Sequence, residues 1–588
     1  AHRRWGVASL RLVPKRDGAR PIVNLGARST ARLGHAPRPG GPGQAARRRI
    51  RRPPLRSFNP VNWSLRSPQQ VLQAAVAGRP ELLGASIFGL NDAYALAAPF
   101  LLRHRAAEAS GTAPLPYIIH VDVRHAFDSV DIERMLRLVA TSVPDAPFSV
   151  SQLAEVSPGA GGCRVMFRRC AVPGDAQSQP SGAAQSAPSA PRGSTPAADR
   201  SAARRYNAVF VDQDRCQSVS GREMKQILQQ HLRGNYVKVP GKWLHQTTGI
   251  PQGSVASSLL CSLYLADLEA AHLRPLLPGH WPPQDAGAAP DGQPTPAACD
   301  SLMLRLIDDF LIITYSRAAA EALVRRLHIG FPDYGVHVNR TKTALNFDMR
   351  LEGALLPRNE LVEESGRRFV RWCGLLVNAD TLELQADYSR LSACHLRCTM
   401  SLPLHARPAA KLLSRLALYV RPKCHPLLLD TRLNSPATVR VNIYQAFTLA
   451  AMKFHLYLAA LPRGAARDAR HAVAAIASVL SAMAHGFVRI WRRLDAESRQ
   501  QRQPQGSAGS QQRAAPAAAP PRISACHIHW LGLHAFRAVL SRKRAAYRGS
   551  LLPWLNQALA ARRYAPLSAQ LAAVVDPQRH TFLRRVKF

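Results

Sequence analysis

Acidic residues are scarce in this chain: 37 Asp and Glu stand against 78 Lys and Arg over 588 residues, giving a formal charge of +41. The imbalance implies a polyanionic partner, held with a steep salt dependence. Residues 1–56 alone hold fifteen Lys and Arg against one acid, Asp17. The chain is also rich in Ala, Pro and Gly, so part of the arginine excess reads as compositional bias and solvated surface. Cysteine is sparse, at ten residues with no paired CxxC spacing. The nearest approach to a zinc knuckle is Cys394-His-Leu-Arg-Cys398 with Cys424-His425, and reduced thiols of an intracellular protein fit better. Unbroken apolar runs are short. The stretch 443–461 is interrupted by Gln445, Lys453 and His455, and 472–488 is Ala-rich and falls short of the ~20 residues a span needs. Both read as buried helices, with no membrane partner. No signal peptide and no solenoid repeat is apparent, and an opening Ala1 rather than Met reads as a fragment. A hydrophobic content of 46% is that of a globular protein of two to four domains.

Patterning divides the chain in two. Up to about residue 378 strand and helix signals alternate, beginning with two apolar runs around Lys15-Arg-Asp-Gly18, a hairpin signature. Helices are expected across 68–77 and 90–105. Beyond Tyr388 Leu/Ala/Arg helical periodicity takes over, so the fold class expected is α+β followed by an all-helical part. Residues 34–54 read as a loose loop. Low-complexity inserts at 174–204, 282–298 and 499–521 read as disordered.

Two adjacent aspartates, Asp308 and Asp309, interrupt the apolar run Leu302-Met-Leu-Arg-Leu-Ile-Asp-Asp-Phe-Leu-Ile-Ile-Thr314. A lone Asp-Asp is more often a loop or a cap. Here both flanks are β-branched or Leu, which predicts a hairpin with the pair at its tip. A third carboxylate, Asp122, ends the strand-like Tyr117-Ile-Ile-His-Val-Asp-Val123. Two strands delivering three carboxylates to one point suit a pair of divalent cations and nucleotidyl transfer, and the Val123 carbonyl could join as a ligand. Phe127 would stand beside the sugar of a bound nucleotide, where a ring clashes with a 2′-hydroxyl and so selects deoxynucleotides; taken alone it reads as a core aromatic. Asp128 reads as a turn or cap residue. In Thr247-Thr-Gly-Ile-Pro-Gln-Gly-Ser-Val255, Gly249, Pro251 and Gly253 predict a tight turn ahead of a helix, with Gln252 against a nucleotide or template base. Lys15 and Arg20 flank the first hairpin and could clamp triphosphate oxygens, and local sequence fits a solvated basic hairpin equally well. Lys342 could reach the leaving pyrophosphate, and Trp372-Cys373-Gly374 reads as a short hairpin able to grip a primer strand.

The order of these elements resembles the motif series of reverse transcriptases, and in detail that of telomerase reverse transcriptase. Leu306-Ile-Asp-Asp-Phe310 replaces the Tyr-x-Asp-Asp of retroelement enzymes. A long insertion separates Phe127 from Gln252. Gly249-Ile-Pro-Gln-Gly-Ser254, Leu259-Leu-Cys-Ser-Leu263 and Trp372-Cys-Gly-Leu-Leu376 match closely. In the helical half Asp387-Tyr-Ser389, Lys423-Cys-His425, Leu429-Asp430, Asn434-Ser435, Asn442-Ile-Tyr444 and Trp530-Leu531 fall in family order. The resemblance implies a right-hand polymerase. Fingers and palm would span 1–378, with a fingers insertion at about 132–245, and a helical thumb extension would span 379–588. It implies Asp122, Asp308 and Asp309 as a triad holding two Mg²⁺, Lys15, Arg20, Phe127, Gln252, Gly253 and Lys342 as nucleotide contacts, and Trp372, Cys373 and Gly374 as primer grip. The partners implied are a telomerase RNA template, a telomeric single-stranded DNA 3′ end and deoxynucleoside triphosphates, and the place is the nucleus at chromosome ends. The family's DNA-anchoring and RNA-binding domains have no counterpart here. The rival readings are a retroelement reverse transcriptase and a non-catalytic nucleic-acid-binding relic.

Overall fold

The computed structural model describes residues 7–15, 18–32, 55–159, 162–174, 209–212, 216–239, 241–277, 279–281, 301–363, 365–401, 415–461, 469–501 and 523–588. The inserts at 175–204, 282–298 and 502–521, and the loop at 34–54, lie outside the described residues. In chain order the elements that matter here are as follows. Strands β1 (Ala8–Lys15) and β2 (Gly18–Asn24) lead to helices α1 (Arg66–Ala77) and α2 (Leu90–Ala109). Strand β3 (Tyr117–Arg124) precedes α3 (Ile132–Ser142) and α4 (Gly221–Arg233). Strands β4 (Tyr236–Val239) and β5 (Lys242–His245) precede α5 (Ser257–Leu268). Strands β6 (Ser301–Leu306), β7 (Asp309–Thr314), β8 (Arg368–Trp372), β9 (Leu375–Asn378) and β10 (Leu384–Ala386) follow. Helices α6 (Pro436–Ala460), α7 (Ala469–Gln501) and α8 (Ala525–Ser541) lie in the C-terminal part.

The chain forms two compact units. One gathers 1–86, 123–276 and 325–339, the other 87–122, 277–324 and 340–588. One boundary of this division falls inside β3, between Asp122 and Val123.

In the first unit β1 and β2 pair as the expected hairpin, and the sheet runs β5-β4-β1-β2. Its inner face buries Ala8, Val23 and Val237. Helix α3 is capped by Asp131, whose carboxylate accepts from the Arg134 N–H at 2.6 Å. Asp128 is thus a turn residue and the cap lies three residues later.

In the second unit β6 and β7 form the predicted hairpin and β7 pairs with β3, all antiparallel. These strands are apolar on both faces, as Ile118, Ile119, Val121, Leu302, Leu304 and Ile312 show by their burial. One continuous apolar core joins them to β8–β10 and to α6–α8. The motif residues of the helical half explain themselves here. Asn434 accepts from the Leu384 N–H at 2.7 Å, and Asn442 donates to the Leu384 and Leu428 carbonyls at 2.9 and 3.0 Å. Ser435 caps α6, and Asp430 accepts from Tyr94 at 2.8 Å. Amide side chains at these points satisfy sheet edges and helix ends that would otherwise be buried without partners.

One expectation is corrected. The stretch read as too short to span a membrane belongs to a helix of 33 residues, of which Ala469–Ala496 is long and apolar enough to cross one by length and composition. Ala472, Ala475, Ile476, Val479, Leu480, Met483 and Phe487 are buried in the core, a stripe at helical spacing.

Candidate active site

The aspartate pair occupies the tip of the β6–β7 hairpin. Leu306 pairs with Asp309, so Ile307 and Asp308 form a two-residue loop. Ile307 has φ +60°, whereas Asp308 is not in the left-handed region. A positive φ at the first loop position alone is the pattern of a type II′ turn, where Gly is the usual occupant. A β-branched residue there is strained by roughly 1–3 kcal/mol. Arg305, fully buried, donates to the Ile307 carbonyl at 3.0 Å and so braces the turn from beneath.

Register does the rest. Asp309 stands directly opposite Asp122 at the last rung of the β7–β3 ladder. Directly opposed residues share a face, with Cβ atoms about 5 Å apart. Asp308 is the next residue along the tip, and its carboxyl is held above the ordinary range, first by burial and then by the charges of Asp122 and Asp309, with Lys342 opposing. The three carboxylates therefore sense one another.

Each has other partners as well. Lys342 Nζ lies 2.7 Å from Asp122 Oδ2. His120 Nε2 lies 2.5 Å from Asp309 Oδ1, and the Cys373 thiol donates to Asp309 Oδ2 at 3.3 Å. The Trp372 indole N–H donates to the Asp309 carbonyl at 3.1 Å. Burial, together with the Asp309 charge, pushes the Cys373 thiol well up, so it remains a protonated donor. Cys373 and Gly374 both have positive φ, 48° and 80°, and make a two-residue turn between the paired Trp372 and Leu375. Trp372 is buried, so this hydrogen bond to the β6–β7 hairpin is shielded from water.

Among the described residues no group of three His, Cys, Asp or Glu side chains is arranged to hold an ion as it stands. Asp122 is turned onto Lys342 and Asp309 onto His120 and Cys373. The donor chemistry nevertheless fits a divalent cation: three hard carboxylates converge, and their mutual repulsion is what such a charge would relieve.

The nucleotide-contact candidates of the first unit are gathered by the Gly-Pro-Gln-Gly turn. Gly249 has φ +78°, and a Cβ there would lie 2.6 Å from Asp128 Cα, so only glycine fits. The Ile250 N–H donates to the Phe127 carbonyl at 2.6 Å. Gly253, at φ +116°, would place a Cβ 2.5 Å from the Val23 carbonyl oxygen. The Val23 N–H donates to the Gln252 carbonyl at 3.0 Å, and the Gln252 amide rests on the Asp128 carboxylate at 3.2 Å. Phe127 is half-buried beside this turn and Arg20 is exposed on β2. Val123 is buried as a side chain and lies one residue past the last β7 rung. Lys15 ends β1, and its side chain lies outside the described atoms.

Sequence reasoning missed His120 and Arg305. His120 sits two residues before Asp122 on one strand, hence on the same face, and that period was a usable signal. Arg305 was a lone charge in an apolar strand.

A hairpin carrying paired aspartates against a third strand's aspartate, within an α+β frame and beside a helical layer, defines a right-hand polymerase fold. The fold agrees with a solved telomerase from Candida albicans, in complex with a TWJ fragment of telomeric RNA: TM-score 0.51, 13% identity, 94% of this chain and 66% of that one. A profile of the telomerase reverse transcriptase C-terminal extension matches residues 410–555. Telomerase reverse transcriptase of Arabidopsis thaliana is 30% identical over 89% of this chain and 44% of its own length. That of Bos taurus is 29% identical over 97% of this chain and 44% of its own. The chain is thus similar to telomerase reverse transcriptases over most of its own length. It spans less than half the length of these relatives.

Proposed function

We propose that this chain is the catalytic part of an RNA-templated DNA polymerase that extends chromosome 3′ ends with telomeric repeats. The observation that carries the reading is the pairing of Asp122 with Asp309 at the rung beside Asp308. On this reading Asp122, Asp308, Asp309 and the Val123 carbonyl hold two Mg²⁺ ions. When bound, such ions lower the pKa of an attacking hydroxyl and neutralise charge on the departing pyrophosphate. Asp122 exchanges Lys342 for this role, which frees the ammonium group for pyrophosphate oxygens. His120, Cys373 and Trp372 keep the Asp309 main chain and carboxylate in place. Lys15 and Arg20 contact the triphosphate. Phe127 screens the sugar, and Gln252 and Gly253 shape the pocket. The Trp372-Cys373-Gly374 turn presents its backbone to the primer. Partners on this reading are a telomerase RNA, a telomeric single-stranded 3′ end and deoxynucleoside triphosphates, and the place of action is the nucleus at telomeres.

Primer extension by Asp308→Ala tests it. Synthesis should be abolished while binding to an RNA–DNA hybrid persists, and near-wild-type synthesis would remove the triad. Extension of a telomere-like primer on an added short RNA, against a generic primer-template, separates telomeric synthesis from retroelement-type copying.

A further inference from the structure

Helices α9 (Leu551–Leu559) and α10 (Ala565–Val575) close with α6 and α8 around a crevice of about 1260 Å³, wholly inside the second unit. That exceeds the ~300–1,000 Å³ of most small-molecule sites. No residue of the proposed polymerase centre lines it. Its walls are aromatic, made by Tyr444, Trp530, His534, Tyr564 and His580. Trp530 and His534 stack at 5.1 Å with planes 23° apart, and the Tyr444 and His580 rings lie 4.8 Å apart. Burial, and then the charge of Arg537, pulls the His534 imidazole down to about 4. Burial brings His580 to about 4 as well, so these walls are neutral at pH 7. Asn556 and Ser568 stand exposed along the crevice and offer hydrogen bonds. Its one acid, Asp576, accepts from the Gln578 N–H at 3.0 Å and so caps the turn at 577–580.

Arg542 and Arg584 of this crevice also line a second cleft, of about 400 Å³, together with Lys543, Arg585 and Lys587. No Asp or Glu lines that cleft. The Arg542 guanidinium lies 4.5 Å from the Phe588 ring centre, and partial burial and then the charge of Arg584 hold it below its usual range. Two guanidiniums that disfavour each other's charge mark a place where an anion would relieve the cost. The planar fork of arginine matches phosphate oxygens. An aromatic crevice thus joins a cationic cleft through two shared arginines. We propose that the two cavities together bind a nucleoside polyphosphate, with its base in the crevice and its phosphates over Arg542 and Arg584. The site goes beyond the polymerase reading and does not depend on it. It shares no residue with the carboxylate cluster or the Gly-Pro-Gln-Gly turn.

The test uses the 588-residue chain without primer or template, in equilibrium dialysis against radiolabelled ATP with EDTA present. EDTA removes any cation-dependent binding at the aspartates. ATP should bind, and adenosine and tripolyphosphate should each bind at least about 10-fold more weakly, because each keeps only part of the contacts. Arg542→Gln and Arg584→Gln should each weaken ATP binding about 10- to 100-fold, the value of one charge-assisted hydrogen bond. Ser568→Trp fills the crevice, so it should abolish ATP binding and leave that of tripolyphosphate unchanged. All three residues are exposed, so these substitutions do not threaten folding. Unchanged ATP affinity in both arginine variants overturns the site. Equal affinity for ATP and tripolyphosphate, insensitive to Ser568→Trp, reduces it to a cationic patch and overturns it too. Absence of ATP binding does the same, and a single-stranded RNA of about twelve nucleotides that binds and is lost in the arginine variants would then make this face a nucleic-acid contact.

Discussion

Lys342 and Asp122 form an ion pair of 2.7 Å at the mouth of the carboxylate cluster, across 220 residues of sequence. The pair occupies a ligand that the proposed function needs, so it competes with a divalent cation for the same oxygen. The lysine is more than half exposed, so the pair contributes no more than about 1 kcal/mol. Lys342→Gln should therefore tighten Tb³⁺ binding, read by luminescence, by only a few-fold, about fivefold at most. Primer extension should fall by a larger factor, because the cation proposed to meet pyrophosphate is gone.

Cys373 and His120 hold opposite oxygens of Asp309. A hydrogen bond to a charged group is worth about 1.5–3 kcal/mol. Cys373→Ala and His120→Ala should each cost about 10- to 100-fold in extension rate. Cys373→Ser keeps a donor and should retain most activity. Equal losses in the serine and alanine variants would show that the thiol acts by packing alone.

Ile307 is strained at the hairpin tip. Ile307→Gly should raise the melting temperature, by about 1 kcal/mol of relieved strain, and lower the extension rate because the tip loses its rigid geometry. Calorimetry and a primer-extension time course read the two effects separately.

Gly253→Ala would push a methyl group into the Val23 carbonyl, and Gly249→Ala into the Asp128 backbone. Both also leave a left-handed φ to a residue that resists it. Each should raise KM for the nucleotide strongly with a smaller effect on hybrid binding, measured by anisotropy. A normal KM in both would detach this turn from the nucleotide pocket.

Burial pulls the imidazoles of His231 and His580 down to about 4. His580 is fixed between the Val574 carbonyl, at 2.6 Å from Nε2, and the Gln445 amide. The unfolded chain takes up these protons near pH 6.5 and the folded chain does not, so folding stability is full above 6.5. It declines as pH falls toward 4, by on the order of 3 kcal/mol for each ring. Urea melts of wild type and His580→Gln across this window should converge as pH drops, and parallel curves would place the acid sensitivity elsewhere.

Much of the proposed centre is visible in the residue string. Strand periodicity and β-branched flanks predict the hairpin around Asp308 and Asp309, and glycine spacing predicts the turn that gathers Gln252. The length of α7 was not visible, because the apolar pattern stops at 488 while the helix continues on polar residues to Gln501. Trp372 illustrates a different gap. Its place in a hairpin is local, but its support of the Asp309 carbonyl depends on how two hairpins pack.

By itself the sequence determined which residue types are available and which of them alternate onto a common face: three carboxylates, a surplus of cations, and glycines where no side chain could stand. Only tertiary structure decided the pairings. Asp309 meets Asp122, His120 reaches it across 189 residues and Cys373 across 64. Alternation along a strand is a property of neighbouring peptide units, so it can be read locally. Register between strands is set by burial summed over the whole core, and a slip of one residue would turn every one of these side chains to the other face.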